Sequence, residues 1–418
     1  MTDKVQKKNK VQKKNKVQKK NKVQKKNKVQ KKNKKISLIF LAILSIFISV
    51  YVAGNYYVGL RFFQSLTNLI EPYSLLYWTC YSLLATSFFA SRLGKRFYPG
   101  YVNDLISVTG DYWLAAIYYS FLMWIVMDIL HHLTNLIFPT TQIIQYPSFY
   151  WGFLVLSLVF LLLIYGTWNA NNPQVVHYDI TIKKRVQNLS EIHAVMVSDI
   201  HLGLVVDNDR LDAMVSRINE LDPDIVILAG DIIDEDVRFF ANNKMPEILK
   251  KLRSRYGVYA VLGNHEYIGG NSELAIEYLQ QAGINVLVDQ CMKINNQFYI
   301  IGRDDRMAGR MFGKARLELS SLIEEIDNNL PIILLDHQPV NLEEGQRNGV
   351  DLQLSGHTHN GQFFPNNLIA KHIFENSWGY LRKGEYQIVV SSGFGTWGPP
   401  IRIGSHSEIT DLTIYFEK

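Results

Sequence analysis

AVMVSDIH at residues 194–201 and IVILAGD at residues 225–231 are two segments of one build, a run of apolar strand formers that stops at an acid. Each run is too short for a helix and is bounded by turn residues, the signature of a buried strand. Between them Leu211, Met214, Val215, Ile218 and Leu221 follow the 3.6-residue period, with Asp207 to Asp209 as candidate N-caps, so the spacing predicts a helix. Strand, helix, strand is the α/β pattern. Further strands of the same kind are expected at Val258 to Leu262, Phe298 to Ile301, Ile332 to Leu335, Leu352 to Leu354 and Gln387 to Val390.

Residues able to do chemistry sit where these runs end. Asp199 and His201 follow the first, Gly230 and Asp231 the second, and Gly263, Asn264, His265 and Glu266 the third. Asp336 and His337 follow Leu335, and Gly356, His357, Thr358 and His359 follow Leu354. The carboxyl edge of an open α/β sheet is where ligands bind. In extended chain residues i and i+2 point the same way, so Asp199 with His201, and His357 with His359, can approach one centre as pairs. Singly, each block reads as a turn or a hydrogen-bonded structural histidine. Together, two of these Asp, the Asn and four of the His make a mixed oxygen and nitrogen set suited to borderline divalent metals such as Mn, Fe, Zn or Co.

The rest of the 418-residue chain divides by charge and hydropathy. The net charge is +6, but residues 1–35 hold 17 Lys against Asp3 alone, and residues 171–418 carry a net −10. Nucleic acid is therefore not an expected partner of the C-terminal part. The tail is five copies of Val-Gln-Lys-Lys-Asn-Lys from Val5 to Lys34, with one small apolar residue in six, and is expected to be disordered. It reads either as a lysine cluster drawn to anionic lipid or as a solvated repeat expansion. With two cysteines, Cys80 and Cys291, a disulfide framework is not expected. Four apolar stretches follow the tail, at Ile36 to Val58, Tyr73 to Ser91, Tyr112 to Met127 and Phe149 to Trp168, each near the length that crosses a bilayer. The third is the weakest candidate. Four spans put the lysine tail and Arg92, Lys95 and Arg96 on one side, with both termini cytoplasmic at the cell membrane. Asp128, His131 and His132, at helical spacing, read either as a metal or proton site or as an interfacial polar cluster. The expected organisation is a tail (1–35), a membrane domain (36–170) and an α/β domain (171–418).

The ordered set Asp-x-His, Gly-Asp, Gly-Asn-His-Glu, His, Gly-His-x-His, complete from Asp199 to His359, resembles the calcineurin-like metallophosphoesterases. Gly302 to Arg306 and Gly393 to Arg402 resemble the bacterial membrane-associated, phosphodiesterase-type branch. The resemblance implies an α/β fold, a four-layer αββα sandwich, here preceded by four transmembrane helices. It implies two divalent metal ions (Mn, Fe or Zn), one held by Asp199, His201 and His359 and the other by Asn264, His337 and His357, with Asp231 bridging. It implies a metal-bridging hydroxide as nucleophile and His265 as the residue that contacts phosphate and assists the leaving group. Asp336 or Glu266 would orient a histidine, unless either is a surface or capping acid. Arg303, Arg306 or Arg402 would receive substrate phosphate, unless engaged in a salt bridge. The implied activity is phosphoester hydrolysis at a membrane, on phosphodiester, phospholipid or nucleotide-linked lipid substrates. A membrane scaffold or sensor with a structural metal site is the alternative.

Overall fold

The computed structural model describes Ala42 and residues 44–94, 100–137, 147–234 and 236–417. The lysine tail, residues 36–41 of the first expected span, and Lys95 and Arg96 lie outside the described residues.

Helices occupy all four apolar stretches: α1 (Leu44–Ser65), α2 (Ser74–Gly94), α3 (Gly100–Ile137) and α4 (Phe149–Asn171). By length and composition α1, α3 and α4 can cross a membrane. The 21 residues of α2 are long enough, but Tyr77, Trp78, Thr79, Tyr81 and Ser82 dilute its apolar character. The segment expected to be weakest, residues 112–127, lies inside the longest helix, the 38-residue α3, which runs beyond Asp111 and Asp128 at either end. Both acids have a cationic partner. Asp111 Oδ1 lies 3.1 Å from Arg92 Nη2, and Asp128 Oδ2 accepts from Arg61 Nη2 and from Tyr57 OH, both at 2.6 Å. Asp128 is thus engaged in an ion pair, and His131 Nε2 lies 3.0 Å from Asn135 Nδ2.

The described residues up to Tyr81 with Tyr119–Val155 form one compact unit, and Ser82–Tyr118 with Leu156–Lys418 form the other. The second unit holds two mixed six-stranded sheets. Their strands are β1 (Gln174–Arg185), β2 (Glu191–Val197), β3 (Ile225–Ala229), β4 (Val258–Val261), β5 (Ile284–Val286) and β6 (Gln290–Ile294), then β7 (Phe298–Gly302), β8 (Ile332–Leu335), β9 (Leu352–Ser355), β10 (Gly379–Lys383), β11 (Tyr386–Val390) and β12 (Glu408–Glu417). The first sheet runs β1-β12-β2-β3-β4-β5 and the second β10-β11-β9-β8-β7-β6. In the first, β2 to β5 are parallel, and in the second β7, β8, β9 and β11 are parallel.

Period-2 alternation sorts the core into three layers. From β3, Ile225, Ile227 and Ala229 face the space between the sheets, while Val226 and Leu228 face an outer helical layer. From β8, Ile333 and Leu335 share the inter-sheet core, and Ile332 and Leu334 pack under the opposite helices. With both faces covered the central strands are apolar throughout, so they were legible as runs rather than as alternation. The outer layer on the first sheet includes α5 (Asn208–Glu220), which buries Leu211, Met214, Val215 and Ile218 as its spacing predicts. Asp207 caps it, accepting from Arg210 N–H at 3.1 Å. Helices on both outer faces of two stacked sheets make the four-layer αββα arrangement.

Candidate metal centre

The parallel strands β2, β3 and β4 end together, and β8 and β9 end beside them in the other sheet. Their first loop residues therefore meet across the gap between sheets. Asp199, His201, Asp231, Asn264, His265, His337 and His359 are buried there, with His357 at the rim. Side-chain ligand atoms fall within 4.8 Å of one another in three overlapping groups: Asp199, His201 and His359; His201, Asp231 and His265; and Asp231, His337 and His357. His201 and Asp231 recur in two groups each, so the sets are contiguous.

Backbone conformation aims these side chains. Asp199, His201, Asp231, His357 and His359 all have φ between 49° and 74°, the left-handed region that non-glycine residues rarely occupy. Such strain persists where surrounding contacts fix it. Here the His357 N–H donates to Asp199 Oδ1 at 2.9 Å, and the His265 N–H donates to Asp231 Oδ1 at 2.8 Å. The motif glycines are needed for close approach. A Cβ on Gly263 would lie 2.2 Å from Asp231 Oδ1, and one on Gly230, at φ +89°, would lie 2.5 Å from His337 Nδ1. Gly263→Ala is therefore expected to destabilise the fold by about 1–3 kcal/mol, the usual cost of overpacking, and to displace Asp231. Denaturant unfolding together with metal-binding calorimetry checks it, and unchanged values for both would refute the close-packing account.

The donor set fits cations. Asn264 Oδ1 is buried without a hydrogen-bond partner among the described residues, and His337 Nε2 lies 3.1 Å from Asp231 Oδ2. His201 Nε2 and His359 Nε2 face each other at 3.2 Å, and His359 Nε2 is 3.4 Å from Asp199 Oδ1. Burial, with His201 and Arg402 nearby, holds His359 well below its ordinary pKa, which leaves a neutral ring with a lone pair to give. Burial works against ionisation of Asp231, but His337, His265 and His201 outweigh it and hold the carboxylate well below its ordinary range.

The remaining sequence candidates separate clearly. Glu266 caps the helix α6 (Asn264–Ile268), its carboxylate accepting from Gly263 N–H at 2.7 Å and Ile233 N–H at 2.9 Å, so it is a capping acid. Asp336 is held by Arg316 at 3.0 Å. Beside Asp199 and Asp231, the acid that meets the site's histidines is Asp234, whose Oδ1 lies 3.0 Å from His265 Nδ1 and 3.6 Å from His201 Nδ1. The sequence reading passed over it, although its position three residues beyond Asp231 in the same loop was the available signal. Arg402 is wholly buried, and its guanidinium donates to the carbonyls of Ser392 (2.7 Å), Gly395 (2.6 Å) and His406 (3.0 Å), so it braces the loop around His359. Arg303 is likewise buried, against Glu344 at 3.2 Å and the Leu317 carbonyl at 2.8 Å. Arg306 is the half-exposed one of the three and lines a cavity of about 390 Å³ with Arg316 and Arg347.

Residues 192–361 match the family model described as calcineurin-like phosphoesterase. The chain is 34% identical over 278 residues to a Danio rerio "Transmembrane protein with metallophosphoesterase domain", an alignment covering 64% of this chain and 63% of that one. It is 36% identical over 245 residues to an "Uncharacterized metallophosphoesterase" of Aquifex aeolicus, covering 58% of this chain and 91% of the relative. A Campylobacter jejuni "Uncharacterized metallophosphoesterase" is 33% identical over 268 residues, covering 63% of this chain and 70% of the relative. The matched residues contain all eight candidate site positions, and two of these relatives are spanned over more than two thirds of their length. The chain belongs to the calcineurin-like metallophosphoesterase family.

Proposed function

We propose that this protein is a membrane-anchored hydrolase of phosphoesters that works with two divalent metal ions. The observation that carries the reading is the contiguity of three ligand groups, Asp199 with His201 and His359, His201 with Asp231 and His265, and Asp231 with His337 and His357, beside a buried Asn264 Oδ1 that has no hydrogen-bond partner among the described residues. Asp199, His201 and His359 would hold one ion and Asn264, His337 and His357 the other, with Asp231 shared. Bound there, the pair would supply an activated hydroxide at neutral pH and neutralise charge on the phosphoryl oxygens during in-line displacement. Asp231 holds its negative charge between the two ligand sets, offsetting the repulsion of like cations. His265 carries a proton to the departing oxygen, and Asp234 fixes its ring through Nδ1. In this reading residues 171–418 are the catalytic domain, both termini are cytoplasmic, and the substrate is a phosphodiester or lipid-linked phosphoester at the membrane.

The test uses the full chain in nanodiscs, with bis-p-nitrophenyl phosphate and p-nitrophenyl phosphate as substrates and Mn²⁺ against chelator. Turnover that needs the metal supports the proposal, and the ratio between the esters gives the preference. A folded, metal-loaded protein that turns over neither ester nor a phospholipid overturns it.

Asp234→Asn is expected to lower kcat/KM by about 10- to 100-fold, the range for groups that orient ligands or catalytic rings. It also shifts the pH profile in a definite direction. Burial lowers the pKa of His265, but the Asp234 hydrogen bond and the Asp231 charge outweigh it and raise it to about 9. The proton is then present below about 9 and lost above it. Without the Asp234 charge, the alkaline limb of the pH–rate profile moves to lower pH. An unmoved limb would separate Asp234 from His265.

A further inference from the structure

The C-terminal unit has an exposed apolar edge that the metal centre does not use. It is built on helix α7 (Asn366–Ile373), which buries Ala370 and turns Leu368, Ile369 and Ile373 outward. Phe364 just before it and Trp397 in a neighbouring loop are also exposed, and exposure across these five residues runs from 49% to 67%. The edge is firmly held rather than frayed. The Phe364 N–H donates to the Ile403 carbonyl at 2.7 Å, and the Trp397 N–H donates to Gln362 Oε1 at 2.9 Å.

Two contacts within the same unit fix the level of this edge against the membrane helices. Tyr118 OH, on α3, donates to Asn366 Oδ1 at 2.9 Å, and its ring lies 6.2 Å from that of Phe363. At 1.5 Å per residue, Tyr118 is about 10 Å along the helix from Asp111, inside the uncharged run that begins at Tyr112. On α4, the Gly166 carbonyl accepts from the Arg402 N–H at 2.9 Å. A Cβ on Gly166 would lie 2.9 Å from Ile401 Cβ, so this loop is pressed against the last apolar turns of a second spanning helix. Large exposed apolar side chains in such a place have a natural cover.

We infer that α7, with Phe364 and Trp397, is seated in the bilayer interface beside α3 and α4, as a lipid-docking edge of the catalytic domain itself. A short helix whose exposed arc carries Leu368, Ile369 and Ile373, with His372 among them, lies in the interface plane in this way, and tryptophan favours that depth. Lys371 on its rim meets anionic head groups. The edge adjoins the metal centre at both ends. His359 precedes the α7 loop, and the ring of Phe374, immediately after α7, lies 6.2 Å from that of His357. A phosphoester head group lying in the membrane surface thus starts beside the His357 and His359 loop. This last step rests on the proposed hydrolase activity; the docking does not.

The test places a nitrobenzoxadiazole probe at Ile369→Cys in the full chain, with Cys80 and Cys291 changed to Ser, in vesicles of phosphatidylcholine and phosphatidylglycerol. Lys314→Cys, exposed on the same unit, is the control. Expected are strong quenching at 369 by lipid carrying a shallow doxyl group and weak quenching by aqueous iodide, with the reverse at 314. Iodide quenching at 369 equal to the control overturns the inference, and so does shielding from both quenchers, which would mean that protein covers the edge. A second arm uses Ile369→Asp with Ile373→Asp. Hydrolysis of a vesicle-borne phospholipid is expected to fall about tenfold while p-nitrophenyl ester turnover stays unchanged. Equal loss of both would point to a structural role. Absence of either activity in the unmutated chain would count against the hydrolase proposal while leaving the quenching result standing.

Discussion

Asp231→Asn is expected to lower metal-dependent phosphoester hydrolysis by about 10³-fold or more while the protein stays folded. Two divalent ions at one centre contribute several kcal/mol of transition-state charge stabilisation, and each 1.4 kcal/mol is about a factor of ten. Asp231 is the acid that the two histidine sets share. It groups with His201 and His265 on one side and with His337 and His357 on the other, and its Oδ2 is 3.1 Å from His337 Nε2. Asparagine keeps the shape and an acceptor for the His265 N–H, so the backbone bond at 2.8 Å survives. In the proposed two-ion reading, the lost charge would remove what offsets repulsion between the ions. Metal analysis of the purified variant is expected to show less than the unmutated chain, with far-ultraviolet circular dichroism unchanged. Full activity with undiminished metal content would exclude Asp231 as the shared ligand.

His265→Ala is expected to cost about 10²- to 10⁴-fold, the range for a positioned general acid, and the loss should depend on the leaving group. His265 is buried, and Asp234 occupies its Nδ1. The surrounding acids raise its pKa to about 9 against the pull of burial, so at neutral pH it is protonated, as the proposed proton-donor role requires. A p-nitrophenolate leaves readily unprotonated, so the variant should lose little on that ester and much on an alkyl phosphoester. The alkaline limb of the alkyl-ester profile should also disappear. Equal losses on both esters would assign His265 to phosphate contact rather than proton transfer.

The strands that carry the site were legible because burial on both faces makes them continuous apolar runs. All seven expected strands occur, from β2 to β11, within a residue or two except that β2 begins at Glu191 rather than Ala194. Of the five strands that went unread, three show why. β1 and β12 pair in parallel over most of their length, yet each alternates buried and exposed residues and carries charge, as a half-covered strand does. β5 has three residues, too few for a pattern. Arg402 shows the limit for single residues. Its guanidinium fits a phosphate and a cluster of carbonyls equally well, and the fold around it determines which it meets.

Local chemistry alone determined that this chain has apolar stretches of membrane-crossing length, an α/β core, and metal-type ligands placed where strands end. Each depends only on residue type, period and chain order. Only the tertiary structure decided that Asp234 rather than Glu266 or Asp336 reaches the histidines, that Arg402 is a brace, and that α7 turns apolar side chains outward beside α3 and α4. Those outcomes depend on distances between residues far apart in the chain, set by how the two sheets stack, and no local period encodes them.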